Sequence, residues 1–344
     1  MSSQYDPVCW PGAFGGDLDG NLGAMWTLAK DSNQRVSRFQ LDLLRPDGQV
    51  VSAGSRDTMT SFFTLQLEHG AGVIRLDPDA KGTLVRLDPG GAVADQPMGM
   101  VRSSAAVPGG GTVVAEGGTV YTMDGRTLTA PLQITRRDDS GATLWSTPIP
   151  SSIAPNPLSA DVYPNTLGHV LAVVALDPFQ ARRVWLDEQG RIASTGDVDG
   201  TFNSLSAIGP WFELPDHSLA FGTSPAHGGG GWHVVHDLDP RLDLPPCWLD
   251  QRQETRVFPI RGGRGYAVFH GTTFSGNESR RGLEIVASSG ESCGWIEASC
   301  GDPTPGACDL ELARLGLDGT LYLNAVSQGS EQRCLVESWP ALLK

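Results

Sequence analysis

Lysine is nearly missing from this chain of 344 residues and stands only at positions 30, 81 and 344. The formal net charge is -14, so no basic stripe exists to neutralise phosphates, which argues against nucleic acid and anionic membrane surfaces as partners. Long apolar runs are missing too. The longest, Val170-Leu-Ala-Val-Val-Ala-Leu176, is far too short to cross a bilayer and reads as one buried strand. A phosphate-binding Gly-x-x-x-x-Gly-Lys loop, a Gly-x-Ser-x-Gly elbow and a Cys-x-x-Cys pair do not occur, so clear catalytic signatures are absent. Met1-Ser-Ser-Gln also lacks the charged start and apolar stretch of a signal peptide.

What is present is punctuation. The chain holds 43 Gly and 24 Pro beside 40% hydrophobic residues, a composition of many turns around a large core. Hydrophobic runs meet at Asp-x-x-Gly corners that recur along the whole length. The corners end at Gly48, Gly91, Gly141, Gly190, Pro240, Gly290 and, degenerately, Pro340. Their spacing is 43 and then 49 or 50 residues, so the chain is a repeat array. Runs such as Phe39-Gln-Leu-Asp-Leu-Leu44 and Arg183-Val-Trp-Leu186 precede the corners, and shorter ones follow, which predicts β-hairpins. A second set of turns lies roughly 20 to 25 residues upstream of most corners by the same repeat counting. Four short strands in about 50 residues match one blade of a β-propeller.

Seven corners then predict an all-β fold, a seven-bladed β-propeller made of a single domain over residues 1–344. The pattern of Asp-x-x-Gly corners resembles bacterial propeller repeats of the pyrroloquinoline-quinone-like and YVTN-like kinds. That resemblance implies the fold alone, since the tryptophan docking motifs and the quinone pocket are not recognisable here.

The last corner leaves only Ala341-Leu-Leu-Lys344 behind it, and Pro7-Val-Cys9-Trp10 reads like Pro245-Pro-Cys247-Trp248. The expectation is that residues 6–12 form the outer strand of the last blade beside Cys334-Leu-Val336, so that the N-terminal strand closes the ring. Six cysteines make an even count, which favours disulfides and an exported protein whose leader has been removed. Register places Cys9 opposite Cys334. Cys300 and Cys308 flank one loop, which leaves Cys247 and Cys293 as the third pair.

Three groups of residues are candidates for chemistry. Histidines gather in the fifth and sixth repeats, where His227, His233 and His270 could hold a divalent metal ion or serve as a base. Asp17, Asp19 and Asn21, and again Asp197, Asp199 and Asn203, set hard oxygen ligands two and four or six apart, a spacing that suits calcium. The bland alternative is that Asp and Gly are simply turn residues. Among nine tryptophans, Trp211 and Trp232 fall outside the repeat and are candidate ligand-binding surfaces.

The leading functional expectation is an extracytoplasmic binding or scaffold propeller, monomeric, secreted, periplasmic or on the cell surface. It would present a loop face to a protein or glycan. The alternative is a metal-assisted lyase or hydrolase built on the three histidines.

Overall fold

A computed structural model of the chain describes residues 11–32, 36–58, 62–77, 81–121, 126–177, 180–198, 211–223, 231–252, 256–260, 265–270, 282–297, 314–316, 318, 320–326 and 334–339. The described strands are all antiparallel to their neighbours. The first sheet contains β1 (Pro11–Gly16), β2 (Leu22–Lys30), β3 (Val36–Leu44) and β4 (Val50–Asp57), paired in that order. A wide sheet of seven strands follows: β5 (Phe62–Gln66), β6 (Ala71–Leu76), β7 (Lys81–Leu87), β8 (Val93–Ala106), β9 (Thr112–Tyr121), β10 (Thr127–Arg137) and β11 (Thr143–Pro148).

Four further groups, three of four strands and one of three, complete the array in the same order. The third sheet has β12 (Ser159–Pro164), β13 (Val170–Ala175), β14 (Ala181–Leu186) and β15 (Ile192–Val198). The fourth has β16 (Phe212–Glu213), β17 (Leu219–Thr223), β18 (Gly231–Val235) and β19 (Leu242–Asp243), and a short helix α1 (Cys247–Asp250) leaves it. The fifth has β20 (Arg256–Ile260), β21 (Gly265–His270), β22 (Gly282–Ala287) and β23 (Ser292–Glu297). The last, with β24 (Arg314–Leu315), β25 (Leu321–Val326) and β26 (Cys334–Trp339), has three strands among the described residues.

Side-chain burial explains this layering. The second strand of a sheet is apolar on both faces, as in β13, where Val170 through Val174 are all buried. Outer strands such as β4 and β11 alternate between exposed and half-buried positions. The core is therefore divided into slabs between successive sheets. Phe39, Leu41 and Leu43 meet Val73, Val85 and Leu87 between the first two sheets. Val113 and Ile134 meet Val162, Val170 and Val184 between the next two, and Trp185 meets Leu219, Phe221 and Val235 after them. Each such side chain contributes about 2 kcal/mol by burial. Sheets packed face to face in sequence order make an all-β propeller.

The Asp-x-x-Gly corners are where the sequence said. Gly48, Gly91, Gly141, Gly190 and Gly290 all take positive φ between 78° and 92°, the left-handed region that only glycine enters freely. The aspartate caps the same turn. Asp88 Oδ1 accepts from the Ala92 amide at 2.8 Å, and Asp187 Oδ1 from those of Gln189 at 3.0 Å and Arg191 at 2.9 Å. Pro240 ends the one described corner without glycine, and there Leu238 takes the left-handed conformation at φ 54°.

Corners also serve as sockets for the preceding sheet. Trp145 of β11 lies 2.6 Å from where a side chain at Gly190 would begin, and its Nε1 donates to Glu188 O at 3.0 Å. Arg45 likewise donates to Pro89 O and Trp185 Nε1 to Asp239 O at 3.2 Å, and within the wide second sheet Gln96 donates to Gly141 O. A contact repeated once per repeat explains why the period near 50 residues is so regular.

Two expectations about the ring are overturned. The described strands form five sheets of four or more strands, not seven blades. The cause is β8, which runs 14 residues without a turn: its first half pairs with β7, its second with β9, and two repeats fuse. Glu116, buried on β9, accepts from the Gly99 amide at 2.9 Å and pins the strand where it passes from one partner to the next. Nor, among the described residues, does an N-terminal strand close the last blade. Pro11 pairs with Trp26 in the first sheet, β26 pairs with β25 alone among the described residues, and no described strand joins the two sheets. Residues 6–10 lie outside the described residues. β1 and β24 do face one another, as a contact between inner strands and not a strand exchange.

Candidate functional site

Antiparallel order assigns each connection to one of two ends. Turns between the first and second strands of a sheet, and between the third and fourth, share one end, and they are short. The strand ends that open the links from second to third strand and from sheet to sheet point to the other end; residues 199–210, 224–230, 271–281, 298–313 and 327–333, which belong to such links in sequence, lie outside the described residues.

The short-turn end is closed by hydrogen bonds. Asp17 is 1% exposed, and its carboxylate accepts from the amides of Asp19 (3.0 Å), Asn21 (2.8 Å) and Gly70 (2.7 Å) and from Asn21 Nδ2 (2.8 Å). Four donors occupy its lone pairs, and a calcium ion would need those same oxygens. Asp19 faces His69 Nδ1 at 2.8 Å, and this bond raises the His69 pKa, outweighing the opposing effect of burial, with the charges of Asp19, Asp139 and Glu68 adding to it. Asp197 is bound by Arg182 Nε and Nη2 at 2.9 and 2.6 Å. Asp199 and Asn203 lie outside the described residues. The first candidate calcium loop is thus a turn anchor, and Asp197 is an ion-pair partner.

The densest polar cluster is one the sequence did not single out. It sits at the short-turn end, at the seam between the third and fourth sheets. Asn165, 0% exposed, occupies the position in its turn that Asp17 holds in the first sheet. Its Oδ1 accepts from the amides of Leu167 (3.1 Å) and His169 (3.0 Å), while its Nδ2 donates to Asp237 Oδ1 (2.8 Å). His169 Nδ1 bonds to Asp237 Oδ2 at 2.9 Å, so two sheets share one carboxylate. Glu213 does the same in reverse: its oxygens accept from the Thr166 amide (2.7 Å) and hydroxyl (2.6 Å) and bond to His217 Nδ1 (2.7 Å). His217 has φ 67°, left-handed without being glycine, and these partners hold it there. The signal available in sequence was the Asx-x-x-Gly spacing shared by Asp17–Gly20 and Asn165–Gly168.

One chain of contacts imitates a catalytic triad. Ser218 Oγ lies 3.1 Å from His236 Nδ1, and His236 Nε2 lies 2.5 Å from Asp243 Oδ2. Ser218, however, is 1% exposed. This trio welds a turn.

Of the histidines expected to converge, the two described ones each have partners of their own. His233 on β18 packs at a tilt against Phe221 with ring centroids 5.5 Å apart, and burial lowers its pKa. His270, on β21 of the next sheet, bonds through Nε2 to Glu284 at 2.9 Å and packs on Trp295. His227 is outside the described residues. Among the described residues no three His, Cys, Asp or Glu side chains form a group that could hold a metal ion.

Glu284 is the most perturbed carboxylate described. Arg252 grips it through Nε (2.9 Å) and Nη2 (2.6 Å), and these bonds, helped by those of His270 and Ser292, outweigh burial and bring its pKa down to about 2. Arg252 also donates to Trp248 O at 2.5 Å, so the group ties α1 to the fifth sheet.

The candidate aromatic platforms are internal. Trp232 is 2% exposed and donates through Nε1 to Arg252 O at 2.8 Å. Trp211 is half-buried between Tyr163 and Phe221, at centroid distances of 4.2 and 4.1 Å. Cys247 and Cys293, the pair reached by elimination, are exposed and stand as free thiols in this structure. Cys9, Cys300 and Cys308, and the side chain of Cys334, lie outside the described residues.

No known family profile matches the sequence, and no curated protein does. Among solved structures, puromycin hydrolase aligns with a TM-score of 0.51 and 14% identity over 95% of this chain and 51% of that one. A variant of that hydrolase complexed with PGG aligns equally well. The chain therefore spans about half the length of these structures. A eukaryotic initiation factor aligns over 95% of the chain with a TM-score of 0.42 and 12% identity. At such identities the likeness to the hydrolase shows a shared fold. A propeller of this kind is consistent with a binding or scaffold role, and no described helix is long and apolar enough to cross a membrane.

Proposed function

We propose that this chain is a rigid binding or scaffold propeller that works outside the cytoplasm and meets a protein or glycan partner at its long-connection end. One observation carries the reading, the inequality of the two ends. Turns of a few residues, capped by buried Asp17 and Asn165 and hydrogen-bonded from sheet to sheet, seal one end. The strand ends that open residues 199–210, 271–281 and 298–313 point to the other. Surface connections on a rigid frame are where recognition residues concentrate. The sequences of these connections supply Ser, Thr, Asn and Gly, which offer adaptable hydrogen bonding.

The lyase or hydrolase alternative is not favoured, because His270 is committed to Glu284 and His233 packs against Phe221. The even cysteine count supports the extracytoplasmic assignment. Screening the immobilised chain against a glycan array and against envelope and secreted proteins of its native host tests the proposal. A saturable ligand supports it. A chain that binds nothing in either screen but turns over a substrate would displace it.

A further inference from the structure

We propose that Cys247 and Cys293 form a redox-active pair that closes a disulfide across the seam between the fourth and fifth sheets. Both thiols are free and exposed, and the residue after Cys247 touches the corner that lies three residues before Cys293. Cys247 opens α1, where its Sγ accepts a hydrogen bond from Gln251 Nε2 at 3.4 Å. The next residue, Trp248, rests on the corner of the fifth sheet: its Cδ1 is 2.6 Å from where a side chain at Gly290 would begin. Cys293 follows that corner on β23, and its thiol donates to Glu291 O, the carbonyl next to Gly290, at 3.7 Å. The strand is irregular at this point. Pairing passes from Ile285 with Gly294 to Val286 with Ser292, which leaves residue 293 as the extra residue of a bulge. A bulged residue has no ladder bonds to break when it is re-aimed. The helix carrying Cys247 is a single turn, and the rest of the seam is held by Arg252, Glu284 and Trp248, so a bond between the sulfurs would reinforce a contact that already exists.

The oxidant is a low-molecular-weight disulfide. One cysteine, as its thiolate, attacks a sulfur of that disulfide, forms a mixed disulfide and releases one small thiolate. The second cysteine then attacks the protein-side sulfur, closes the intramolecular bond and releases the second small thiolate. Two protein S–H bonds are lost, one S–S bond is made, and the small disulfide is reduced to two thiols.

The test uses the full chain, incubated with oxidised glutathione, digested without reduction and mapped by mass spectrometry. The expected product joins the peptides carrying Cys247 and Cys293, and the thermal midpoint rises by roughly 10 °C or less, the upper figure coming from loop entropy. In Cys247→Ser or Cys293→Ser, the remaining cysteine of the pair should retain glutathione as a trapped mixed disulfide. Three outcomes overturn the proposal: wild-type chain in which both residues carry glutathione separately, either residue bonded instead to Cys9, Cys300, Cys308 or Cys334, or both thiols still free. The single variants keep the test decisive if the bridged protein precipitates, because the trapped adduct reports on each thiol alone.

Discussion

Replacing Glu284 by Gln isolates one charge at the seam between the fourth and fifth sheets. The carboxylate is 9% exposed, receives two hydrogen bonds from Arg252 and one bond from His270, and its pKa falls from 4.5 to about 2. That depression corresponds to about 3 kcal/mol at neutral pH, at roughly 1.4 kcal/mol per unit. Removing the charge also strands the Arg252 guanidinium, itself 13% exposed, and breaking a buried pair from one side costs about 3–5 kcal/mol. The two routes agree on the size of the loss. Because the folded pKa lies below the unfolded one, the contribution is complete above about 4.5 and fades as pH falls towards 2. Urea unfolding of wild type and Glu284→Gln, followed by tryptophan fluorescence at pH 7 and at pH 3, measures it. The variant should be less stable at pH 7 and much closer to wild type at pH 3. A difference under about 0.5 kcal/mol at pH 7, the size of an ordinary surface substitution, would refute the reasoning.

Three other expectations follow from the same geometry. Trp232→Ala should lower stability by about 3–5 kcal/mol as a core truncation, and thermal unfolding of the variant checks this; unchanged stability with lost ligand binding would restore it as a platform. Asp17→Asn replaces an acceptor of four hydrogen bonds by a group with one oxygen, so its thermal midpoint should drop, while millimolar calcium should leave the wild-type midpoint unmoved. His69 carries a raised pKa, so its small contribution is complete below 6.5 and is lost as pH rises through the folded value; wild type and His69→Gln should differ in melting temperature at pH 6 and converge in alkaline buffer.

Local chemistry was legible because each turn carries its own instructions. Asp187 and Gly190, or Asp88 and Gly91, dictate a capped left-handed corner wherever they occur, so corners and flanking strands could be placed from sequence. Blade count was not, because it depends on whether a strand stops. Pro97 and Gly99 inside residues 93–106 read as a break between strands, yet the strand runs on, and Glu116, which holds Gly99, comes from the neighbouring strand. Site residues failed for a related reason. Trp232 and His233 look alike in their distance from the repeat pattern, yet one donates to Arg252 O and the other packs against Phe221. Asp17 has the spacing of a calcium ligand, but the Gly70 amide that fills its last lone pair is 53 residues away. The Asx-x-x-Gly spacing marks the turn at Asn165, but Asn165 and His169 meet Asp237 only after two sheets are packed, and no local spacing announces that contact.

The central claim is that binding belongs to the long-connection end. With a ligand in hand from the glycan or protein screen, its dissociation constant should be measured for two variants of the full chain. One replaces residues 271–281 by a short Gly-Ser turn, and the other neutralises Asp187, Glu188 and Arg191 at the short-turn end by serine. The account predicts a loss of at least tenfold, about 1.4 kcal/mol, in the first and a change within twofold in the second. Full affinity in the first together with a tenfold loss in the second would contradict it.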